Sequence, residues 1–203
     1  MVRAWEDVWM DFKGLNWFGR RLKEKQLEVI EEVVDIIKLP ADAKIIDVGC
    51  GGGYTLTMFR NLGFKKSWGF DHSSEALKVC KEHCGFIEGK DVFKDELLKR
   101  RVMKRRFDMV FSGGLIEHYK NTTPIVGAMC RLSKKWILIM QPNWDSLFSK
   151  IKYRLGSQEW EKEYYYNKKD YEKMFKNFGF KLVKSGLLNW NELMWLLFKR
   201  VRE

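Results

Sequence analysis

The sequence predicts a doubly wound α/β fold built on a seven-stranded, mostly parallel sheet. Short, almost continuously apolar segments alternate with segments whose apolar residues recur at helical spacing, as expected for a parallel sheet covered by helices on both faces. A cluster of glycines follows the first strand. The last two strands are separated by too few residues for a crossover helix, so we expect the sheet to end in an antiparallel pair.

The bulk composition is that of an ordinary globular protein. The chain has 203 residues, of which 45% are apolar and 32% charged, so it can bury a core and is expected to form one domain. Lysine and arginine number 38 against 27 acidic residues, a formal charge of +11, which should attract anions. No apolar stretch approaches the ~18 residues of a membrane span. The charged start lacks the apolar stretch of a secretory signal, so we expect a cytoplasmic protein.

An opening helix and two strand–loop–helix units fill the first half of the chain. Pro40 cannot continue the opening helix, and Gly63 and Gly85 suit the ends of the next two helices. Ser73 or Ser74 is a favourable cap for the third helix. The predicted elements are a helix over 27–37, a strand over 44–48, a helix over 54–61, a strand over 67–70 and a helix over 74–85.

The second half continues this alternation and then breaks it. Only Ser185–Glu192 separates the last two predicted strands, whereas a parallel connection needs a dozen or more residues. These two strands should therefore form an antiparallel hairpin at one edge of the sheet. The predicted elements are a strand over 86–87, a basic helix over 96–105, a strand over 107–111, a helix over 123–132, a strand over 136–140, a helix over 171–177, and strands over 180–183 and 193–199.

The glycine-rich loop lies at the carboxyl edge of the predicted sheet, where open α/β folds bind ligands. Tyr54 and Leu56 stand where the two possible registers of the dinucleotide fingerprint require glycine or alanine, and a Walker loop is absent. An acid follows each of the next two strands, Asp71 and Asp91. Their carboxylates could accept hydrogen bonds from ribose hydroxyls and an exocyclic amine. These features describe an adenosine pocket.

Four segments carry a resemblance to the class I S-adenosylmethionine-dependent methyltransferases. They are Ile45–Gly53, Gly69–Ser73, Gly89–Val92 and Phe107–Ser112. The resemblance covers about residues 44–200 and implies the Rossmann-like methyltransferase fold, whose seven-stranded sheet has an antiparallel last strand. This implication agrees with the terminal hairpin predicted from the short connection.

The resemblance implies S-adenosylmethionine as cofactor and S-adenosylhomocysteine as product. Asp47 would support the glycine loop and the cofactor's amine, whereas Asp71 would bind the ribose hydroxyls. His72, Asp91 and Val92 would lie at the adenine. The full set of implied cofactor residues is Asp47, Gly49, Cys50, Gly51, Gly53, Asp71, His72, Asp91, Val92, Ser112 and Gly113. No metal site is expected.

The acceptor is expected to be a small molecule methylated on oxygen or carbon. The segment 114–119 resembles methyltransferases that act on small molecules, and the Asn/Asp-Pro-Pro-Tyr motif of relatives that methylate amino groups is absent. His118 is the candidate general base, needed when the acceptor must lose a proton. Alternatively, His118 orients a loop or packs at the pocket wall.

Two aromatic segments should close the acceptor site within a single domain of residues 1–203. Residues 1–40 are expected to form an N-terminal helical cap, and residues 143–170 an insertion that contributes to the acceptor site. Their rings suit an apolar or aromatic acceptor; alternatively, they pack these segments onto the sheet. The aromatic residues are Trp5, Trp9, Phe12, Trp17 and Phe18, with Trp144, Phe148, Tyr153, Trp160, Tyr164, Tyr165 and Tyr166.

The sequence is also compatible with other functions. The run Lys99–Arg106, with Lys150, Lys152 and Arg154, could bind nucleic acid, so methylation of RNA or protein is the second choice, although such a run is more often a solvated face. A non-catalytic scaffold of the same fold and a nicotinamide-dependent oxidoreductase are further alternatives. Cys80, His83 and Cys84 lack a fourth zinc ligand, and all four cysteines are expected to be free thiols.

Overall fold

A seven-stranded sheet forms the centre of the computed structural model, which describes residues 17–85, 92–94, 106–147, 150, 163–188 and 191–201. The described helices are α1 (Trp17–Ile37), α2 (Tyr54–Asn61), α3 (Ser74–Cys84), α4 (Thr123–Leu132) and α5 (Lys168–Lys176). The strands are β1 (Ile45–Val48), β2 (Ser67–Asp71), β3 (Val92–Lys94), β4 (Phe107–Gly113), β5 (Ser133–Pro142), β6 (Phe180–Leu188) and β7 (Leu193–Arg200). A 3₁₀ turn, Ile116–His118, follows β4.

The strands lie in the order β3-β2-β1-β4-β5-β7-β6. The first five are mutually parallel, and β7 runs antiparallel to both β5 and β6. The predicted α/β class, strand number and terminal antiparallel pair are therefore confirmed. From β1 the chain adds β2 and then β3 on one side, and it returns to add β4 on the other side of β1. The strand order therefore reverses between the neighbouring strands β1 and β4. This is the switch point at which open α/β sheets bind ligands.

Helices cover the two faces of the sheet. Alternation along β1 places Ile45 in the core on one face and Ile46 in the core on the other. The first face packs against α1 and α2, and the second against α4 and α5. Both cores are closed to solvent, which accounts for the nearly continuous apolar runs of the central strands.

Local capping chemistry sets the helix ends. The Ser73 hydroxyl accepts the Ala76 N–H at the start of α3, and Gly85 ends that helix in the left-handed region, as predicted. Asn167 and Asp170 form a reciprocal capping box that starts α5 at Lys168. The helix therefore starts three residues before the predicted Tyr171, because the capping box fixes its first turn.

Several elements differ from the sequence prediction: α1 begins at Trp17 instead of residue 27, and β5 covers Ser133–Pro142 instead of 136–140. The third strand of the sheet is Val92–Lys94, paired with β2, whereas the prediction placed Val92 after that strand. β6 runs on to Leu188 through residues assigned to the final connection, because Ser185–Leu188 continue to pair with β7. The predicted strand over 86–87 and helix over 96–105 lie outside the described residues, as do residues 1–16 and most of 148–162. No helix in the described part of the chain is long and apolar enough to cross a membrane.

Candidate functional site

The carboxyl ends of β1 and β4 bring most of the predicted site residues together. The loop after β1 is held against β2, because the N–H groups of Gly49 and Cys50 both donate to the Phe70 carbonyl, at 2.8 and 2.9 Å. On the other side, the buried Ser112 hydroxyl donates to the Val48 carbonyl at 2.8 Å. The loop is therefore fixed to both strands that neighbour β1.

The loop itself depends on glycine. Gly51 and Gly53 adopt φ of 51° and 81°, in the left-handed region that other residues rarely adopt. Gly53 is also the N-cap of α2, and no side chain accepts a hydrogen bond from the first N–H groups of that helix. A bare helix start beside a glycine turn leaves backbone N–H groups available to a ligand with negative or polar groups.

Asp71 holds the loop from the end of β2. One carboxylate oxygen accepts the Gly51 N–H at 2.8 Å and the other accepts the Ser73 N–H at 2.9 Å. Its side chain is buried. A carboxylate has about four acceptor positions, so each oxygen of Asp71 keeps capacity for a further donor such as a ribose hydroxyl. His72, beside it, is largely exposed, and its Nδ1 lies 3.8 Å from Asp71 Oδ1.

Asp47 is buried at the base of the loop, 2% exposed. Burial, and then the nearby Asp71 carboxylate, raise the pKa of Asp47 to about 8, although the Lys23 ammonium acts in the opposite direction. Among the described residues, none makes a hydrogen bond to Asp47 Oδ1. Asp71 supplies a hydrogen bond that supports the loop, and the support expected from Asp47 stays a prediction. Asp47 thus presents an unsatisfied acceptor at the switch point.

Lys23 is a site residue that the sequence prediction missed. It projects from α1, and its Nζ lies 4.8 Å from the centre of the Tyr54 ring at the start of α2. Burial lowers the pKa of Lys23, while Asp47 raises it. The sequence shows only a charged helix here, with Lys23 and Lys25 as its two lysines, and nothing in it indicates where the Lys23 ammonium lies.

The 3₁₀ turn after β4 brings three candidate side chains to the same edge. Glu117 is 2% exposed, and its Oε2 has no hydrogen-bond partner in the described part of the chain. Burial raises the pKa of Glu117 to about 8, with a further contribution from Glu163. His118 is half-buried with its Nδ1 closed to solvent. The Tyr119 ring is partly exposed, and burial and then the Asp71 carboxylate raise the pKa of its phenol.

The segment 163–167 packs over this turn. The Tyr164 N–H donates to the Glu117 carbonyl at 2.7 Å, and the Tyr166 hydroxyl donates to the Tyr119 carbonyl at 2.7 Å. Tyr165 meets Trp144, which follows β5, in an edge-to-face contact with 4.6 Å between ring centres. These aromatic residues of the predicted insertion therefore lie at the carboxyl edge. Phe148, Tyr153 and Trp160 lie outside the described residues.

Three thiols pack behind the glycine loop. Cys50 and Cys80 lie in one buried cluster with Leu56, and the Cys84 thiol donates to the Gly52 carbonyl at 3.2 Å. A Cβ on Gly69 would stand 2.7 Å from Cys50 Sγ, so only glycine fits beneath this cluster. All four cysteines are free, as predicted. No group of three potential metal ligands occurs among the residues that the structure describes.

The remaining predicted cofactor residues are more dispersed. Gly113 ends β4 at the carboxyl edge, next to Ser112. Val92 pairs with Gly69, two positions before the end of β2, so it lies about 7 Å from that edge at the usual rise of a strand. Asp91 lies outside the described residues.

The methyltransferase domain family matches residues 18–185 of this chain. The chain belongs to this family. Its resemblance to the class I S-adenosylmethionine-dependent methyltransferases is thereby confirmed. The matched range covers the glycine loop, Asp71 and the 3₁₀ turn.

Individual relatives of this methyltransferase agree with that assignment. The ubiquinone biosynthesis O-methyltransferase of Thiobacillus denitrificans is 33% identical over 63% of this chain and 58% of its own length. The enzyme of the same name from Nitrosomonas europaea is 26% identical over 70% of this chain and 59% of its own length. The methyltransferase chain thus spans about three fifths of the length of these curated relatives.

A solved structure has the same fold. The magnesium protoporphyrin IX methyltransferase of Synechocystis, crystallised with bound S-adenosylhomocysteine, has a TM-score of 0.71 and 17% identity, covering 96% of this chain and 93% of that chain.

The buried carboxyls of this methyltransferase predict a pH-dependent stability. The folded-state pKa values of Asp47 and Glu117, both about 8, lie well above the ordinary values near 4. The native state then holds protons that the unfolded chain has released, so the free energy of unfolding should fall as pH rises from about 4 to about 8. Each carboxyl contributes a slope of up to about 1.4 kcal/mol per pH unit.

Urea unfolding across this pH range measures the slope. Asp47→Asn combined with Glu117→Gln should flatten it. Asp108→Asn is the control: burial acts to raise the pKa of Asp108, but hydrogen bonds from Lys44 and Lys134 outweigh burial and lower it, so this change should leave the falling slope in place. An equally steep fall in the double variant would contradict the assignment.

Proposed function

We propose that this chain transfers a methyl group from S-adenosylmethionine to a hydroxyl oxygen of a small, apolar or aromatic acceptor, with carbon as the other possible acceptor atom. Membership of the family supports methyl transfer, and the names of the two curated relatives favour a small-molecule acceptor and its oxygen. The observation that carries the proposal is the pairing of a glycine loop with Asp71 at the switch point.

The residues present suit the cofactor's charges and hydroxyls. Asp47 has an unsatisfied buried oxygen that could accept a hydrogen bond from a cationic group, and Asp71 retains acceptor capacity for ribose hydroxyls. Lys23 supplies a cation on the α1 side, suited to a carboxylate. Of the other predicted residues, Gly49, Cys50, Gly51 and Gly53 would hold the methionine part, Ser112 and Gly113 would line the β4 side, and His72, Asp91 and Val92 would hold the adenine.

S-adenosylmethionine supplies a methyl group activated by attachment to a sulfonium. The protein must therefore align the acceptor, exclude water and accept a proton where the acceptor carries one. We assign the proton-accepting role to His118, on the 3₁₀ turn that follows β4. Glu117, adjacent and buried, is the second candidate.

The acceptor wall is assigned to the aromatic residues of the carboxyl edge. Trp144 and Tyr165 form one packed pair there, and Tyr119 presents a partly exposed ring near Asp71. Aromatic rings bury large apolar area and pack against planar ligands. This arrangement favours a flat, apolar acceptor. In this proposal, residues 143–170 are the insertion that shapes the acceptor site.

Two measurements, made one after the other, test the proposal. Calorimetric titration of the full chain with S-adenosylmethionine and with S-adenosylhomocysteine should give saturable binding of both. Radiolabelled donor should then label members of a library of phenols, enols and other small metabolites. Binding without small-molecule labelling, together with labelled RNA or protein in a lysate, would favour the macromolecular alternative. Binding with no labelled product at all would favour the non-catalytic scaffold, and no binding would remove the enzymatic proposal.

A further inference from the structure

The amino edge of the sheet, opposite the cofactor site, collects cations from six strands. The parallel strands all begin at this edge and the antiparallel β7 ends there, so a basic residue near each of these points comes to the same rim. We call these residues the basic rim. It comprises Lys65 and Lys66 at β2, Lys44 at β1, Arg106 at β4, Lys134 and Lys135 at β5, Lys199 at β7 and Lys181 at β6.

Few carboxylates balance this rim. Within the described ranges, the acids beside these strand ends are Asp42 and Asp108, set against eight cations. Asp42 lies 3.4 Å from Lys66 Nζ, and Asp108 accepts the Lys134 ammonium at 3.0 Å. Asp108 also accepts the Lys44 backbone N–H at 2.8 Å. Both carboxylates are therefore already engaged, and the rim keeps a clear excess of positive charge.

Three of the lysines are placed close together. Lys181 and Lys199 are directly opposite each other on β6 and β7, an arrangement of like charges that costs stability. Lys199 is in turn opposite Trp136 on β5. The ammonium groups of Lys135 and Lys199 lie 5.4 and 5.6 Å from the centre of the Trp136 ring. No acid in the described part of the chain pairs with these three lysines, so an anion between them would relieve the repulsion.

The rim is also long enough to contact an extended ligand. Its six strands occupy neighbouring positions from β2 to β6, so at the usual spacing of about 4.8 Å between strands it runs for about 24 Å. The basic run Lys99–Arg106 of the sequence ends at Arg106 on this rim. A line of cations of this length matches a polymer with a charge at every repeat better than a single small anion.

From these observations we infer that the basic rim binds the phosphodiester backbone of nucleic acid. Backbone neutralisation by lysine and arginine requires no base-specific contacts. An anionic membrane surface is the less suitable partner, because membrane-binding faces add exposed aromatic or large apolar side chains to their cations. Here Trp136 is only 9% exposed beneath the lysines, and the exposed apolar residue beside the rim, Val201 after β7, carries no aromatic ring.

The position of the rim separates this binding from methyl transfer. The rim and the cofactor site lie at opposite ends of the strands, and β4 alone has seven residues, or about 23 Å at the usual rise. A nucleic acid bound along the rim is therefore held away from the donor. The inference concerns a tethering surface and is independent of which acceptor the enzyme methylates.

Fluorescence anisotropy with a labelled oligouridylate, measured over a range of salt concentrations on the full chain, tests the inference. Binding should be tight at low salt and weaken linearly on a log–log plot, with a slope of about −0.7 for each phosphate neutralised. The variant Lys135→Gln, Lys181→Gln, Lys199→Gln should reduce the slope by about 2 and weaken binding at least tenfold at low salt.

A matched variant separates the rim from net charge. Lys78→Gln, Lys81→Gln, Lys173→Gln removes the same charge from exposed positions on α3 and α5 and should leave the slope nearly unchanged. Absent binding of the wild-type chain, equal losses in both variants, or tighter binding to phosphatidylglycerol vesicles than to the oligonucleotide would each overturn the inference. Titration of both variants with S-adenosylhomocysteine, which should match the wild type, checks folding and keeps this outcome distinct from failure of the proposed function.

Discussion

Asp71→Ala should weaken the binding of S-adenosylmethionine by about 1–3 kcal/mol, or roughly five- to 150-fold in the dissociation constant. The proposed hydrogen bonds to the ribose would be lost. In addition, the N–H groups of Gly51 and Ser73, which the carboxylate now accepts, would lose their partner, so the glycine loop would also lose its support. Isothermal titration calorimetry at constant pH measures the change in affinity.

Asp108→Ala is a matched control for this experiment. Asp108 also accepts a backbone N–H and a second donor, but it lies at the opposite edge of the sheet. Its loss should reduce stability without changing cofactor affinity. If Asp71→Ala and Asp108→Ala had the same dissociation constant as the wild type, the assignment of Asp71 to the ribose would be wrong.

His118→Asn should lower kcat by about 10²–10⁴-fold, the usual contribution of a positioned general base. Cofactor affinity should stay within about twofold of the wild type, because His118 is assigned to the acceptor side. The dependence of kcat on pH should also lose its rising limb, which a merely structural change would not remove. The measurement requires an acceptor from the labelling screen and steady-state kinetics over a range of pH.

Glu117→Gln is the informative comparison. It replaces the buried neighbour with a group of the same shape that cannot accept a proton. A small effect of this change beside a large effect of His118→Asn supports the histidine as base. The reverse ranking would transfer the proton-accepting role to Glu117.

Much of the fold could be predicted because local chemistry marks its boundaries. The prediction gave α2 and α4 with the residues at which the structure has them. Gly53 and Gly63 bracket α2, and Pro124 stands in the first turn of α4. The hairpin of β6 and β7 followed from chain length alone, since no crossover helix fits between them. Such signals depend on neighbouring residues in the sequence and not on tertiary packing.

The third strand could not be placed in this way. Val92–Lys94 has three residues at the edge of the sheet, too short for a period to be recognised. Its position depends on register with β2, which is a tertiary property. Similarly, β6 extends to Leu188 because Ser185 and Gly186 pair with β7, although neither residue favours a strand by itself.

Site residues were predictable where the backbone geometry requires a particular residue type. They were less predictable where a residue belongs to the site only because the fold buries its side chain. Gly51 and Asp71 stand out in the sequence through their type and spacing. Lys23 and Glu117 do not, because a charged residue on a helix or turn is normally exposed. Only the packing of α1 and of the segment 163–167 shows that these two are withdrawn from solvent.

The order of the last three strands has a consequence for synthesis. β7 lies between β5 and β6, yet it leaves the ribosome about 50 residues after β5. Until then, the long, apolar outer edge of the nascent β5 has no neighbour and could join another chain. The late arrival of Leu193–Arg200 should therefore be the step most exposed to aggregation during folding, and the one that a chaperone would most usefully shelter.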